Sequence, residues 1–273
     1  MTRSIRLIAD DYGLAPGISG AILDLIDRGR LTGTGCMTGF PDWEQEAGRI
    51  RPFRTRTTVG LHLTLTDQIA VTGPSSLAPE GRLPPLASLA LPIKRGRINA
   101  ADIHAELDAQ CDRFVAALGG PPAFIDGHQH VHFLPVVRKW LLTRFSAGAN
   151  KPALRGAPAF GGLDSATTKI AAVAALAAGF NKAMRRAGFT VMTPLSGIYD
   201  WRRPEKFAPT LQAAIDSLPE QGVFMCHPGR VDDTLRARDV MQGAREVEFA
   251  FLRSEEFGAR LDKAGARVMD GSA

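Results

Sequence analysis

Asp10 and Asp11 stand side by side at the end of the apolar run in IRLIADDYG, and five of the six histidines fall in comparable places later in the chain. His62 follows VGL, Asp126, His128, His130 and His132 lie in FIDGHQHVHF, Arg155 follows PAL, and His227 follows VFMC. Neighbouring carboxylates repel one another and resist burial. A pair at the inner end of an apolar segment therefore calls for a counter-charge, and a divalent cation supplies one. The ion can take one carboxylate and two imidazoles and still leave positions open for water and substrate. The other carboxylate is then free to take a proton from that water.

The HQHVH run has its own geometry. In an extended segment alternate side chains share a face, so His128, His130 and His132 are expected on one side. Three of them on one ion would be crowded. His128, nearest the strand end, is the expected ligand, and His130 and His132 are expected to orient ligands, line the site or pack against it. Asp126 either supports an imidazole or touches the ion itself. His227 precedes Pro228 and Gly229, a stiff turn, and an imidazole that titrates near neutrality suits proton donation to a leaving group. The alternative is a turn histidine facing solvent. Arg155 either tunes Asp10 through an ion pair or pairs with a structural carboxylate. His104, in a helical stretch, reads as a surface residue, and Cys226 as a buried, inert thiol rather than a nucleophile.

Positioning these groups requires many strand ends to meet. SIRLIA, LTGTGCMT, TTVGLHLTLT, PAFID, PALRG, FTVMT and GVFMC read as strands, with ARVM as a final short one. Helical patterns lie between them. Pro16 opens one whose apolar face is Ile18, Ile22, Leu25 and Ile26. Others start near Asp42, span 102–118 with Ile103, Leu107, Cys111, Phe114 and Val115 on one side, and begin at Pro135. A long Ala-rich helix is expected from about Ser165 to Ala187, and further helices over PEKFAPTLQAAIDSL and SEEFGARLDKAG. Repeated β-then-α points to parallel strands. The expected fold is α/β, an irregular (β/α) barrel of about seven or eight parallel strands in one domain spanning 1–273. In such barrels functional side chains sit at the C-terminal strand ends. The Pro- and Gly-rich region at about 67–100 reads as an ordered insertion or lid. No G-x-G-x-x-G follows the first strand, which disfavours a dinucleotide fold.

The 273 residues are 45% hydrophobic and 22% charged with a net charge of +5, enough apolar material for one large core. Lys and Arg are scattered with no aromatic-interleaved stripe, so no nucleic-acid partner is expected. Three distant cysteines without a C-x-x-C pair suit a reducing cytoplasm. The start shows no signal-peptide pattern. The apolar stretch 170–180 is too short to cross a bilayer, although peripheral contact with a membrane is compatible with it. Oligomeric state is not legible.

Four motifs, ADDYGLAPG, GLHLTLT, DGHQHVHFLP and CHPG, occur in the order found in the YdjC-like carbohydrate deacetylases, a family that includes chitooligosaccharide deacetylases and hopanoid-biosynthesis deacetylases. The chain resembles that family from about Leu7 to Gly229. The resemblance implies a distorted (β/α) barrel and metal-dependent removal of an N-acetyl group from an amino sugar, in an oligosaccharide or a glycolipid. It implies Asp10 as catalytic base, Asp11, His62 and His128 as ligands of one divalent ion, and His227 as acid. Zinc or magnesium is the expected ion, with nickel or cobalt as alternatives. Tyr12 stands where the family usually has Phe and would add a hydroxyl to the site; Gln129 stands where it often has His or Lys. Two other readings fit the residues. Two histidines and a carboxylate also describe non-haem Fe(II) oxygenases, which an anaerobic assay distinguishes. A non-catalytic sugar- or lipid-binding protein with structural histidines would hold no stoichiometric cation.

Overall fold

Six buried residues in a row, Leu7–Tyr12, form the strand that carries the acidic pair. Such unbroken burial is the mark of a parallel strand covered on both faces. In the computed structural model, which describes residues 3–89, 93, 95–146, 151–158 and 167–272, this strand is β2, preceded by β1 (Arg3–Ile5). It is followed by α1 (Pro16–Asp27), β3 (Gly33–Cys36), α2 (Trp43–Ile50) and β4 (Thr58–Leu63). After the Pro- and Gly-rich region come α3 (Ala100–Leu118), β5 (Phe124–Gly127), α4 (Pro135–Arg144) and β6 (Ala153–Arg155). The second half holds α5 (Thr167–Leu176), α6 (Phe180–Arg186), β7 (Val191–Met192), β8 (Leu195–Ser196) and α7 (Phe207–Ser217). It ends with β9 (Val223–Cys226), α8 (Asp233–Arg238), α9 (Gly243–Arg253), α10 (Glu255–Lys263) and β10 (Ala266–Val268).

Eight strands make one all-parallel sheet in the order β7-β6-β5-β4-β3-β2-β9-β8. Its edges are drawn together by a bridge between Pro158, beyond β6, and Leu195 of β8, which nearly closes the barrel. This is the expected α/β barrel at the upper end of the expected strand number. The strand over ARVM forms, but as β10 it pairs with β1 in a separate two-stranded sheet rather than joining the barrel. Close packing inside the sheet depends on glycine. A Cβ at Gly60 would lie 2.5 Å from the Phe124 ring, so β4 leaves that space to the large side chain of β5.

Helices attach by the faces that amphipathic patterning predicts, with one exception on α3: Ile103, Leu107, Cys111 and Phe114 are buried, but Val115 is 37% exposed. The expected face of α1, Ile18, Ile22, Leu25 and Ile26, is buried, and Asn99 caps α3 by accepting from Ala101 N at 3.0 Å. The Ala-rich helix is broken: Ala177 to Gly179 separate α5 from α6, with Gly179 left-handed at φ 72°. Ser165, its expected start, lies outside the described residues. The break puts Phe180 at 4.9 Å from Phe133, ring centre to ring centre. Of the Pro- and Gly-rich region at about 67–100, residues 90–92 and 94 also lie outside the described residues. Its earlier part is irregular, with Ile69 and Arg82 in an antiparallel bridge, and α3 anchors it. The buried Glu106 accepts from Val71 N at 3.0 Å and Thr72 N at 2.9 Å. Among the described residues no helix is long and apolar enough to cross a membrane.

Candidate active site

The acidic pair lies at a defect in β2. Its register against β3 shifts between Ala9 and Tyr12, and Asp11 has φ 69°. In a regular strand neighbours point to opposite faces; a bulge re-aims one of them. Here both carboxylates reach the mouth of the barrel. Asp11 Oδ1 lies 3.3 Å from His62 Nε2 and 3.0 Å from His128 Nδ1. The three side chains, from three strand ends, offer donor atoms within 4.8 Å of one another. His62 is oriented from behind, its Nδ1 2.6 Å from Asp126 Oδ1. Gly35 of β3 makes room for that pair, because a Cβ there would lie 3.2 Å from both Asp126 Oδ1 and His62 Nδ1.

Asp10 faces Arg155. The guanidinium donates through Nη1 to Oδ2 at 2.7 Å and through Nη2 to Oδ1 at 2.5 Å, and Nη2 is also 2.6 Å from Asp126 Oδ2. Arg155 thus joins the two readings that its sequence position left open: it is ion-paired to Asp10 and to the carboxylate behind His62. It also sits among the second acidic and imidazole group in the barrel, Asp10, His62 and Asp126, whose positive charge it already supplies. His227 Nε2 is 3.8 Å from Asp10 Oδ2.

Burial and charge set the protonation states. Burial would raise the Asp10 carboxyl, but Arg155, His62 and His227 outweigh it and hold it at about 2. Burial opposes ionisation of Asp11 too, and Arg245 and His128 hold it well below the usual carboxylate range. His62 goes the other way: burial disfavours its charge, yet Asp126 and Asp10 raise it to about 10. This spot favours positive charge. Burial lowers His227 to about 4 and His130 to about 3, so both imidazoles rest neutral.

Asp10, Asp11, His62, His128 and His227 line one cavity of about 470 Å³, with Arg155 buried beneath it. One wall is the α5 stripe Lys169, Ala172, Val173 and Leu176; Trp201 and Val240 stand at other sides. The HQHVH run is not extended. Gln129 and His130 adopt left-handed φ of 50° and 63°, so the alternation rule fails there. His128 turns to Asp11, His130 lines the cavity, and His132 packs on the Phe133 ring at 3.9 Å between centres. His227 lies in the cavity rather than in open solvent. Tyr12 does not reach the site: its hydroxyl donates to Glu46 O at 2.8 Å inside the core. His104 packs at the helical layer with Nε2 3.1 Å from Val136 O. Cys226 is buried, and burial pushes its thiol up, away from nucleophilic use.

Sequence patterning missed Arg245 and Glu248. Both are fully buried on α9, which the pattern did not reveal as a helix. Arg245 Nη2 donates to Asp11 Oδ2 at 2.7 Å, and Glu248 accepts from His227 N at 2.5 Å and from the Tyr199 hydroxyl at 2.6 Å. The available signal was that Ala244, Arg245, Glu248 and Leu252 share one helical face, so two charges fall on an otherwise small and apolar stripe.

This chain is similar to curated proteins along its whole length. It is 27% identical over 279 residues to chitooligosaccharide deacetylases of Yersinia pestis (strain Pestoides F) and Yersinia pseudotuberculosis serotype O:1b (strain IP 31758), with 98% of each chain covered. A crystal structure from Enterococcus faecalis V583, of a protein assigned to cellobiose-phosphate cleavage, has the same fold, with a TM-score of 0.73 and 20% identity. The alignment covers 99% of this chain and 98% of that one. The profile described as YdjC-like protein matches residues 4–263, and the chain accordingly belongs to the YdjC-like family.

Proposed function

We propose that the protein is a metal-dependent hydrolase that removes the N-acetyl group from an amino sugar carried in an oligosaccharide or glycolipid. The observation that carries this reading is the convergence of Asp11, His62 and His128 within 4.8 Å, with a second carboxylate beside them. The named activity of the Yersinia relatives supports it. The donor set fits a divalent ion: one carboxylate oxygen and two imidazole nitrogens suit zinc, and magnesium, nickel or cobalt are the alternatives. Around it three buried carboxylates, Asp10, Asp11 and Asp126, face two buried guanidiniums, Arg155 and Arg245. The remaining negative charge is what raises His62, and a bound cation would take the place of the His62 proton.

When bound, the ion would polarise the acetyl carbonyl and acidify the attacking water. Asp10 takes the proton from that water at a carboxylate oxygen. Its low proton affinity, set by Arg155, means that the proton is held only briefly. His227 rests neutral, so it must be charged before it acts as an acid; Nε2 lies 3.8 Å from Asp10 Oδ2, a gap that one bridging water spans to deliver that proton. The imidazolium then protonates the departing amine. Acetate and the free amino sugar result, and the proton balance closes. The apolar α5 wall and Trp201 suit the apolar face of a sugar or a lipid aglycone. The free, buried cysteines suit the cytoplasmic location we propose.

The test is acetate release from N-acetylglucosamine oligomers and N-acetylated glycolipids, with the stripped protein refilled with zinc or magnesium. Asp10→Asn is expected to retain the ion and lose nearly all turnover. Full turnover in that variant, or in the stripped protein, would refute the reading.

A further inference from the structure

We propose that Arg245 and Glu248, one turn apart on the buried side of α9, are positioning residues for this site. Arg245 holds the carboxylate of Asp11, and Glu248 holds the backbone at His227. The proposal rests on the metal-dependent reading above. Residues three apart on a helix share a face, and this face looks onto the ends of β2 and β9, which pair with each other. Arg245 is 1% exposed. Nη2 donates to Asp11 Oδ2 at 2.7 Å and is also paired with Asp239, while Nε donates to Met241 O at 2.9 Å. Because the guanidinium occupies Oδ2, Oδ1 is the oxygen turned towards His62 and His128. The carbonyl of Arg245 also accepts from Gly229 N at 3.0 Å, so the CHPG turn is tied to the same residue. Asp239 and Met241 line the cavity, and Arg245 thereby links its rim to its floor.

Glu248 completes the brace. Oε2 accepts from His227 N at 2.5 Å, and Oε1 accepts from the hydroxyl of Tyr199, another cavity residue, at 2.6 Å. Neither α9 residue donates or accepts a proton in the proposed chemistry. Their work is to fix where the ligand oxygen and the His227 ring stand.

The sign of one measurement decides the Arg245 part. Arg245→Met deletes a positive charge beside the ion, and charge alone predicts tighter cation binding. Loss of a group that orients a ligand predicts weaker binding, by about 10- to 100-fold. Zinc affinity is read by chelator competition on the full chain, stripped and refilled. We expect the dissociation constant to rise at least about tenfold; an unchanged or tighter constant overturns the proposal. Arg245→Lys keeps the charge but not the forked donor geometry, so it carries the same test if the Met variant does not fold. It too is expected to bind zinc more weakly, and wild-type affinity in it overturns the proposal. Glu248→Ala is expected to lower kcat by about tenfold or more with zinc affinity and KM unchanged, on the scale of a misplaced catalytic group. Glu248→Gln should restore kcat, because its amide can accept from His227 N and donate to the Tyr199 oxygen. Unchanged kcat in the Ala variant overturns the Glu248 part. A wild-type chain that binds zinc yet releases no acetate refutes the functional reading alone, and zinc affinity still decides Arg245.

Discussion

Replacing Glu248 with glutamine should stabilise the protein at alkaline pH and have little effect in acid. The side chain is fully buried, with the Tyr199 hydroxyl and His227 N as its hydrogen-bond donors and, among the described residues, no ion pair. Burial pushes its carboxyl up from 4.5 to about 7, against the pull of those two hydrogen bonds. In the unfolded chain the same group loses its proton at its ordinary value. Between the two values the folded protein therefore binds more protons than the unfolded one, and stability falls as pH rises. The contribution is fully present below the unfolded value and lost as pH passes the folded one. A gap of roughly 2.5 pH units, at about 1.4 kcal/mol each, amounts to about 3 kcal/mol lost by pH 8.5. Glutamine mimics the protonated acid and does not ionise. Urea unfolding of wild type and Glu248→Gln, both saturated with the same cation, is compared at pH 5 and 8.5. The stability advantage of the variant should grow by about 2–3 kcal/mol across that range, a melting difference of about 6 °C at the alkaline end. A difference that stays constant with pH, or shrinks as pH rises, would refute the reasoning.

Three further outcomes follow from the geometry. Asp126→Asn removes the charge behind His62 Nδ1, so zinc should bind about tenfold more weakly in chelator competition; unchanged affinity would mean that the 2.6 Å contact does not orient the ligand. Gly35→Ala crowds the His62–Asp126 pair from 3.2 Å and should cost about 1–3 kcal/mol in denaturant unfolding, with zinc affinity falling in parallel. Arg155→Met leaves Asp10 and Asp126 buried without their shared counter-charge and should destabilise by about 3–5 kcal/mol, read as a lower melting temperature.

Much of the barrel was legible because its signals are local. Parallel strands buried on both faces appear as continuous apolar runs, and helices as 3.6-residue stripes, so alternating elements and their C-terminal ends could be marked along the chain. The elements that escaped are those in which patterning gives no local sign. β8 has two residues, α8 has six, and α9 puts charges on its buried face. The Ala-rich segment carries an apolar signal on nearly every side, so nothing in its periodicity marks the break before Gly179.

The chain's own order of residues determined which chemistry is on offer: carboxylates, imidazoles and a guanidinium at the ends of strands that a parallel barrel must bring to one mouth. Tertiary structure alone decided how those groups face one another. The bulge that turns Asp11 inward, the left-handed turn through Gln129 and His130, and the approach of Arg245 and Glu248 from a distant helix all depend on contacts between remote segments. Backbone dihedrals at such defects are held by the surrounding packing rather than by the residues themselves, which is why side-chain type could mark the site but not its internal geometry.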